Sequence, residues 1–188
     1  MNIYLIRHAQ SEWQLNQSAG RDSAITNIGI IQAHYLNIYI REVMDVNTDS
    51  SVIYVSPLRR SVQTVNSLGR NYILDSRIME AQFHVASSLP QFDQPHIYER
   101  KLSEETKYNE FKLNVRKTLE SLILLKYNNI YLYTHGGVIK TILRIIHDND
   151  SICYKINNCS ITKIIWKRAR WHMDCVNYVS FLPKKYIT

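Results

Sequence analysis

The sequence has no apolar run that approaches the roughly 20 residues needed to span a membrane as a helix. Its first residues also lack a basic segment followed by a cleavable apolar stretch, which is the pattern of a secretory signal. These two absences predict a cytoplasmic protein that has no membrane partner.

Cysteine is scarce, and the three cysteines, Cys153, Cys159 and Cys175, show no Cys-x-x-Cys spacing. Because their number is odd, at least one is unpaired, and we expect free, buried thiols. Five histidines lack the close His, Asp or Glu neighbours that a metal ion needs, so no metal site is expected. These five are His34, His84, His96, His147 and His172.

Repeats, low-complexity tracts and internal linkers are absent as well. The 188 residues are 45% apolar and 21% charged, which is typical of a folded globular protein. This length suits one well-buried domain, residues 1–188, and is short for two. The formal charge of +7 favours anionic partners such as phosphorylated substrates without indicating which one.

The first strand and the turn after it organise the rest of the chain. Residues 2–6 are apolar, β-branched or aromatic apart from Asn2, and they stop at Arg7 and His8. In open α/β sheets, ligands bind outside the carboxyl ends of the strands. Arginine offers a fork of donors that fits phosphate, and a neutral imidazole can attack phosphorus without first losing a proton. Taken alone, a surface arginine and a satisfied core histidine would be the commoner explanation.

Two further predicted strands end in the same way. Residues 129–134 lead into His135, and residues 52–55 lead into Ser56 and then Arg59. We therefore expect Arg7, His8, Arg59 and His135 to meet at one rim of the sheet.

Helices are predicted to begin beside two of these strand ends. Pro57 suits a helix start, so Arg59 is placed in the first turn, near free backbone donors, and Arg60 is expected at the surface. Gly136 allows close backbone approach to a ligand, and the helix predicted from Val138 would point its amino end at bound phosphate.

Other segments are predicted to cover the sheet. Thr26 and Ser103 are suitable N-caps for two helices. Residues 75–101 have no clear period, which is typical of a lid or binding loop. The apolar stripes of the two helices are Ile28, Ile31, Tyr35, Tyr39 and Val43, and Phe111, Val115, Leu119, Leu122 and Ile123.

Basic and aromatic residues alternate at positions 166–171. Nucleic-acid-binding surfaces share this pattern, but one short patch carries far less charge than they use, so we expect a solvated hairpin tip and no nucleic-acid partner. The turn predicted at Ala169 and Arg170 places Cys175 opposite Ile164. No disulfide within the hairpin is therefore expected.

Four short motifs occur along the chain: LIRHAQS at 5–11, ITNIG at 25–29, SPLRRSVQT at 56–64 and YTHGG at 133–137. Together they resemble the motifs of the histidine phosphatase superfamily, the phosphoglycerate-mutase-like proteins. This resemblance implies an α/β fold, a three-layer α/β/α sandwich with a central, mainly parallel sheet.

The resemblance also implies roles for individual residues. His8 would attack phosphorus and become phosphohistidine, while Arg7, Arg59 and His135 would hold the phosphoryl oxygens without any cofactor. Where the family usually has a phosphate-contacting asparagine, this chain has Gln14, whose amide reaches one carbon further.

The family usually places a proton-donating glutamate in the lid segment, and Glu80 resembles that position. The structural alternative is an ion pair between Glu80 and Arg77. Glu99 is a second candidate, although it lies just before a predicted helix, where a carboxylate commonly serves the helix end.

The function implied is hydrolysis of a small phosphorylated metabolite through phosphohistidine. A phosphoglycerate-type mutase is an alternative, although the lid is shorter and the glycine after the mutases' glutamate-arginine pair is missing. A protein-phosphohistidine phosphatase is another, and Glu80 argues against it. A non-catalytic phosphate-binding module would need a missing catalytic residue. Neither the substrate nor the oligomeric state follows from the sequence.

Overall fold

The computed structural model describes residues 1–44, 46, 49–83, 85 and 102–188, with the side chains of 102–105 excepted. Within these residues the centre is a six-stranded sheet with the order β3-β2-β4-β1-β5-β6. The strands β1 to β4 are parallel, and β5 runs antiparallel to both of its neighbours. The strands are β1 Asn2–Arg7, β2 Ser51–Val55, β3 Ile73–Leu74, β4 Asn129–Thr134, β5 Ile161–Lys167 and β6 Arg170–Tyr178.

Helices pack on both faces of this sheet. The helices α4 and α5 share one buried apolar cluster with β1 and β4, and α2 and α3 share another on the opposite face. The predicted three-layer α/β/α arrangement with a mostly parallel sheet is confirmed. The helices are α1 Glu12–Leu15, α2 Asn27–Val43, α3 Arg59–Asn66, α4 Leu102–Ile123 and α5 Gly136–His147.

The parallel register of the central strands aligns their carboxyl ends. In the β1/β4 pair Arg7 lies opposite Thr134, and the N–H of His8 donates to the carbonyl oxygen of Thr134 at 2.9 Å. The N–H of Ser56, directly after β2, donates to the carbonyl oxygen of Tyr133. The ends of β1, β2 and β4 therefore meet at one rim, as the strand pattern predicts.

The helix α2 begins as predicted but buries a different face. The hydroxyl of Thr26 accepts a hydrogen bond from the N–H of Gly29, which confirms the N-cap. The predicted apolar stripe was wrong, since Ile28, Tyr35 and Val43 are exposed. Two buried amides account for the different rotation of the helix, because each bonds a group far away in sequence: Gln32 accepts from the N–H of Gln10, and Asn37 donates to the carbonyl of Thr64. The buried residues of α2 are Gly29, Gln32, Ala33, Leu36, Asn37 and Ile40.

The β5/β6 hairpin turns one residue earlier than predicted. Arg168 and Ala169 both have positive φ, 54° and 57°, and Lys167 pairs with Arg170. Cys175 consequently lies opposite Lys163 rather than Ile164. All three cysteines are free, as expected, but the prediction that they are buried holds for Cys159 alone.

Two further predictions concern the segment between β3 and α4. A short 3₁₀ turn occupies Ser76–Ile78, and α4 begins at Leu102, so Ser103 lies inside the helix rather than at its cap. Glu99 and most of the predicted lid lie outside the described residues. Among the helices that are described, none is long and apolar enough to cross a membrane.

Candidate active site

His8 lies at the carboxyl end of β1 with only 4% of its surface exposed. Its Nδ1 is 2.7 Å from the carbonyl oxygen of Ala9. Because a carbonyl oxygen only accepts, Nδ1 carries the proton and Nε2 keeps its lone pair. The carbonyl oxygen of His8 accepts from Nδ2 of Asn158 at 2.9 Å, so the backbone of His8 is fixed as well.

His135 stands beside His8, with their ring centroids 5.1 Å apart. Its Nε2 is 2.7 Å from the hydroxyl oxygen of Ser56, and its Nδ1 accepts a hydrogen bond from Arg60. An accepting Nδ1 requires the proton on Nε2, so His135 donates to Ser56.

Burial lowers the pKa of both imidazoles well below 6.5. For His8, the neighbouring His135, Arg7 and Arg60 lower the pKa further, in that order. Protonating an imidazole here would add a desolvated positive charge beside two arginines. His8 is therefore neutral at physiological pH, which leaves its Nε2 able to act as a nucleophile.

Arg60, rather than Arg59, lies beside the two histidines. The Nε of Arg60 is 3.2 Å from Nε2 of His8 and 3.2 Å from Nδ1 of His135, and its Nη1 donates to the carbonyl of Arg21. The predicted surface position of Arg60 was wrong, because only 5% of its surface is exposed. The side chain of Arg59 is exposed, and its backbone N–H donates to Asp22 at 2.6 Å.

The burial of Arg60 rather than Arg59 has a simple geometric cause. Consecutive residues of a helix point about 100° apart, and the buried face of α3 is wide enough for Arg60 and Ser61 but not for Arg59 as well. The buried face of α3 consists of Arg60, Ser61, Thr64 and Val65. Counting back from Val65 in steps of four reaches Ser61, and counting back from Thr64 reaches Arg60. This spacing was the available signal for Arg60.

Arg7 extends from the end of β1 toward the start of α5. Its Nη1 donates to the carbonyl oxygen of Ile156 at 2.5 Å, and a Cβ on Gly136 would lie 3.4 Å from its Nε. The buried Nε of Arg7 has no hydrogen-bond partner among the described residues. An unsatisfied buried donor of this kind is costly unless a ligand accepts from it. The structure thus places Arg7 and Gly136 together, as the strand-end pattern predicts.

Glu80 lies at the amino end of α5. One carboxylate oxygen accepts from the N–H of Gly137 at 3.1 Å and the other from the N–H of Ala81 at 3.2 Å. The alternative pairing with Arg77 is wrong, because Arg77 forms its ion pair with Asp75 at 2.7 Å. A Cβ on Gly137 would fall 2.1 Å from Oε1 of Glu80, so only glycine leaves room for the carboxylate.

Both polar atoms of the Gln14 side-chain amide are hydrogen-bonded within the protein. Its Oε1 accepts from the N–H of Ser11 at 3.0 Å, and its Nε2 donates to Oδ1 of Asn158 at 3.0 Å. The bond to Ser11 belongs to a capping box at α1, and Gln14 does not line the adjoining cavity. The structure thus does not bring Gln14 to the site as a phosphate ligand. It also reveals Asn158, which bonds both His8 and Gln14 and which no sequence motif indicated.

A cavity of about 880 Å³ opens at this rim. His8 and His135 are buried, and Arg60, which bonds both rings, lines the cavity. In the part of the chain that the structure describes, no group of three or more His, Cys, Asp or Glu side chains could hold a metal ion. The lining residues that belong to the predicted site or its correction are Arg7, Arg60, Glu80 and Gly136.

Comparison with known proteins gives a consistent result. The family model of the histidine phosphatase superfamily (branch 1) matches residues 3–179. A Hydrogenobacter thermophilus protein named "Putative phosphoserine phosphatase 2" is 31% identical over 159 residues, which cover 75% of this chain and 76% of that protein.

Solved structures of similar fold include Entamoeba histolytica phosphoserine phosphatase in complex with 3-phosphoglyceric acid, with TM-score 0.72, 19% identity, and coverage of 97% of this chain and 99% of that one. Bacillus anthracis phosphoglycerate mutase has TM-score 0.73 and 15% identity, covering 96% and 94% of the two chains. At these identities the structures demonstrate the fold alone, whereas the family match spans nearly the whole chain. This chain therefore belongs to the histidine phosphatase superfamily, branch 1.

Proposed function

We propose that this protein hydrolyses the phosphomonoester of a small phosphorylated metabolite through a phosphohistidine at His8. The observation that carries the proposal is the neutral Nε2 of His8, buried beside Arg7 and Arg60, two arginines that line a cavity together with Glu80. The phosphatase names among the relatives support hydrolysis. Because the site draws on β1, α3 and β4, we also propose that residues 1–188 act as one domain.

In the first step, the Nε2 lone pair of His8 attacks phosphorus and the bond from phosphorus to the ester oxygen breaks. Glu80, as the carboxylic acid, gives its proton to the leaving alkoxide, so an alcohol departs and Glu80 becomes a carboxylate. In the structure, Arg60 donates a hydrogen bond to Nε2 of His8. Before the attack, Arg60 must therefore turn this N–H away from Nε2 and toward a phosphoryl oxygen. The unpartnered Nε of Arg7 can donate to the same phosphoryl group.

In the second step, the Glu80 carboxylate takes a proton from water, and the water oxygen attacks phosphorus. The bond from phosphorus to Nε2 breaks, inorganic phosphate leaves, and His8 and Glu80 return to their starting protonation states. Throughout both steps Arg7 and Arg60 supply the positive charge and hydrogen bonds that a metal ion often supplies in phosphoryl transfer, while the neutral His135 accepts from Arg60 and holds it beside His8. We therefore expect a metal chelator to change the rate little.

A mutase remains the second candidate, since the fold is shared with a phosphoglycerate mutase. A mutase must keep its phosphohistidine until a second hydroxyl accepts the group, whereas a hydrolase transfers it to water. A protein-phosphohistidine phosphatase is less favoured, because an imidazole leaving group has less need of a positioned acid such as Glu80.

The test is trapping of the intermediate with ³²P-labelled phosphoserine, followed by acid or base quench. We expect a phosphoprotein that is stable to base and labile to acid in the wild type, none in His8→Ala, and wild-type labelling in His172→Ala, which removes an exposed histidine on β6. His135→Ala should keep weak activity. Turnover by His8→Ala at the wild-type rate would show that the nucleophile is wrong, and label passing to an added hydroxyl acceptor rather than to water would favour the mutase.

A further inference from the structure

The cavity carries more positive charge than one phosphate group needs. Among its described lining residues, five are basic and two, Glu80 and Asp150, are acidic. Two acids do not balance five basic residues, and Asp150 is already bonded by Lys112 at 2.7 Å and by the hydroxyl of Tyr108 at 2.8 Å. The basic lining residues are Arg7, Arg21, Arg60, Lys140 and Arg144.

Lys140 is the basic residue that the proposed chemistry leaves unused. It is half-buried on α5, one helical turn after Gly136 and one turn before Arg144. No hydrogen bond or ion pair joins its ammonium group to another described residue. Burial, and then the charges of Arg7 and Arg144, lower the pKa of Lys140. An unpaired, partly desolvated ammonium costs stability, and an anionic ligand would recover that cost.

We propose that Lys140 binds a carboxylate of the substrate, so that the enzyme selects phosphorylated carboxylic acids over phosphomonoesters that lack a second anionic group. This inference rests on the proposed phosphatase function and specifies its substrate class. Arg144 also lines the cavity, and its Nε donates to the carbonyl oxygen of Ile152.

The spacing of Gly136 and Lys140 along α5 favours a short substrate. One helical turn rises about 5.4 Å, and helical side chains lean toward the amino end, so Lys140 reaches back toward Arg7 and Gly136. A short acid with a terminal phosphate is therefore the kind of substrate that we propose for this subsite. A single ammonium matches one carboxylate, whereas a second phosphate dianion would need further donors.

A competing explanation is that Lys140 acts only on the charge of Glu80, since Glu80 raises the pKa of Lys140. Loss of Lys140 would then change proton donation by Glu80 to every alkyl leaving group, whether or not the substrate carries a carboxylate. The two explanations therefore differ in how the effect depends on the substrate.

The experiment compares kcat/KM for O-phosphoserine with that for O-phosphoethanolamine, which lacks only the carboxylate. Wild-type enzyme should prefer phosphoserine, and Lys140→Met should lower the ratio of the two kcat/KM values by about 10- to 100-fold, mainly through KM. Lys140→Arg should retain most of the preference. The matched control is Lys117→Met, which removes the same charge from an exposed position on α4 and should leave the ratio unchanged.

Equal losses on both substrates in Lys140→Met would overturn the subsite and favour action through Glu80. A second pair, 3-phosphoglycerate and glycerol 3-phosphate, covers a hydroxy acid in place of an amino acid. If the wild type shows no preference for the acid in either pair yet hydrolyses p-nitrophenyl phosphate, the subsite is wrong and the phosphatase stands. If none of these esters is hydrolysed, the proposed function fails with it.

Discussion

The Nε of Arg60 lies 3.2 Å from Nε2 of His8, within hydrogen-bonding distance of the lone pair that would attack phosphorus. The same N–H lies 3.2 Å from Nδ1 of His135. The guanidinium therefore stands between the two histidines, where it can hold both rings neutral and then turn to a phosphoryl oxygen. This relationship makes Arg60 central to the proposed chemistry and leaves Arg59 outside it.

The adjacent arginines offer a matched pair of substitutions. Arg60→Ala should lower kcat/KM by about 10²- to 10³-fold, the usual cost of losing a preorganised donor to a developing charge. Arg59→Ala removes the same charge from an exposed position and should change kcat/KM by less than about threefold. Steady-state kinetics on p-nitrophenyl phosphate, with circular dichroism to verify folding, would measure both. A larger loss in Arg59→Ala than in Arg60→Ala would restore Arg59 as the phosphate-binding arginine that the sequence predicts.

Glu80→Gln should act selectively on poor leaving groups. Loss of a general acid costs about 10²- to 10⁴-fold when the leaving alkoxide needs a proton. Turnover of an alkyl phosphate should therefore fall by that order, whereas p-nitrophenyl phosphate, whose leaving group needs little protonation, should slow much less. Glu99→Gln is the comparison variant. An alkyl-selective loss in Glu99→Gln, with small and equal effects in Glu80→Gln, would transfer the role to Glu99.

Gly137→Ala should reproduce the Glu80 defect without changing any charge. The added Cβ would lie 2.1 Å from Oε1 of Glu80, so the carboxylate must move away from the N–H of Gly137. We expect the same selective loss on alkyl phosphates. In the double variant with Glu80→Gln, the two losses should be far from additive, because both act on one carboxylate. Additive losses would mean that Gly137 acts independently of Glu80.

The lowered pKa values of His8 and His135 predict a loss of stability in mild acid. An unfolded histidine titrates near 6.5, and in the folded protein burial lowers both values well below that. Below about pH 6.5 the unfolded chain thus binds protons that the folded chain does not, so the free energy of unfolding decreases as the pH falls toward the folded pKa values. The expected slope is up to about 1.4 kcal/mol per pH unit for each histidine.

Urea unfolding of the wild type and of His8→Asn/His135→Asn at several pH values between 7 and 5.5 would measure this slope. The double variant should lose less stability over that range. A slope equal to that of the wild type would show that these two histidines do not control the acid response.

The sheet, and the strand ends that carry Arg7, His8 and His135, could be predicted from the sequence. Two apolar runs end at functional residues, one at Arg7 and His8 and the other at His135. Predicting this arrangement needs only strand periodicity and the rule that the carboxyl ends of parallel strands meet at one rim. The register of β1 and β4 confirms that placement. Local signals were sufficient here because each strand carries its own apolar pattern and its functional residue follows directly.

The identity of the buried polar side chains, and of the groups they contact, depends instead on packing between distant segments. Arg60 faces the sheet because α3 is rotated by contacts such as the hydroxyl of Thr64 with the N–H of Ala9, which lie 55 residues apart. Gln14 bonds Asn158, 144 residues away, rather than lining the cavity. A buried polar group is stabilised by its partner, and such partners are separated by distances along the chain that no local spacing encodes. The rotation of α3, and with it the choice of Arg60 over Arg59 as the arginine of the site, therefore follows from packing.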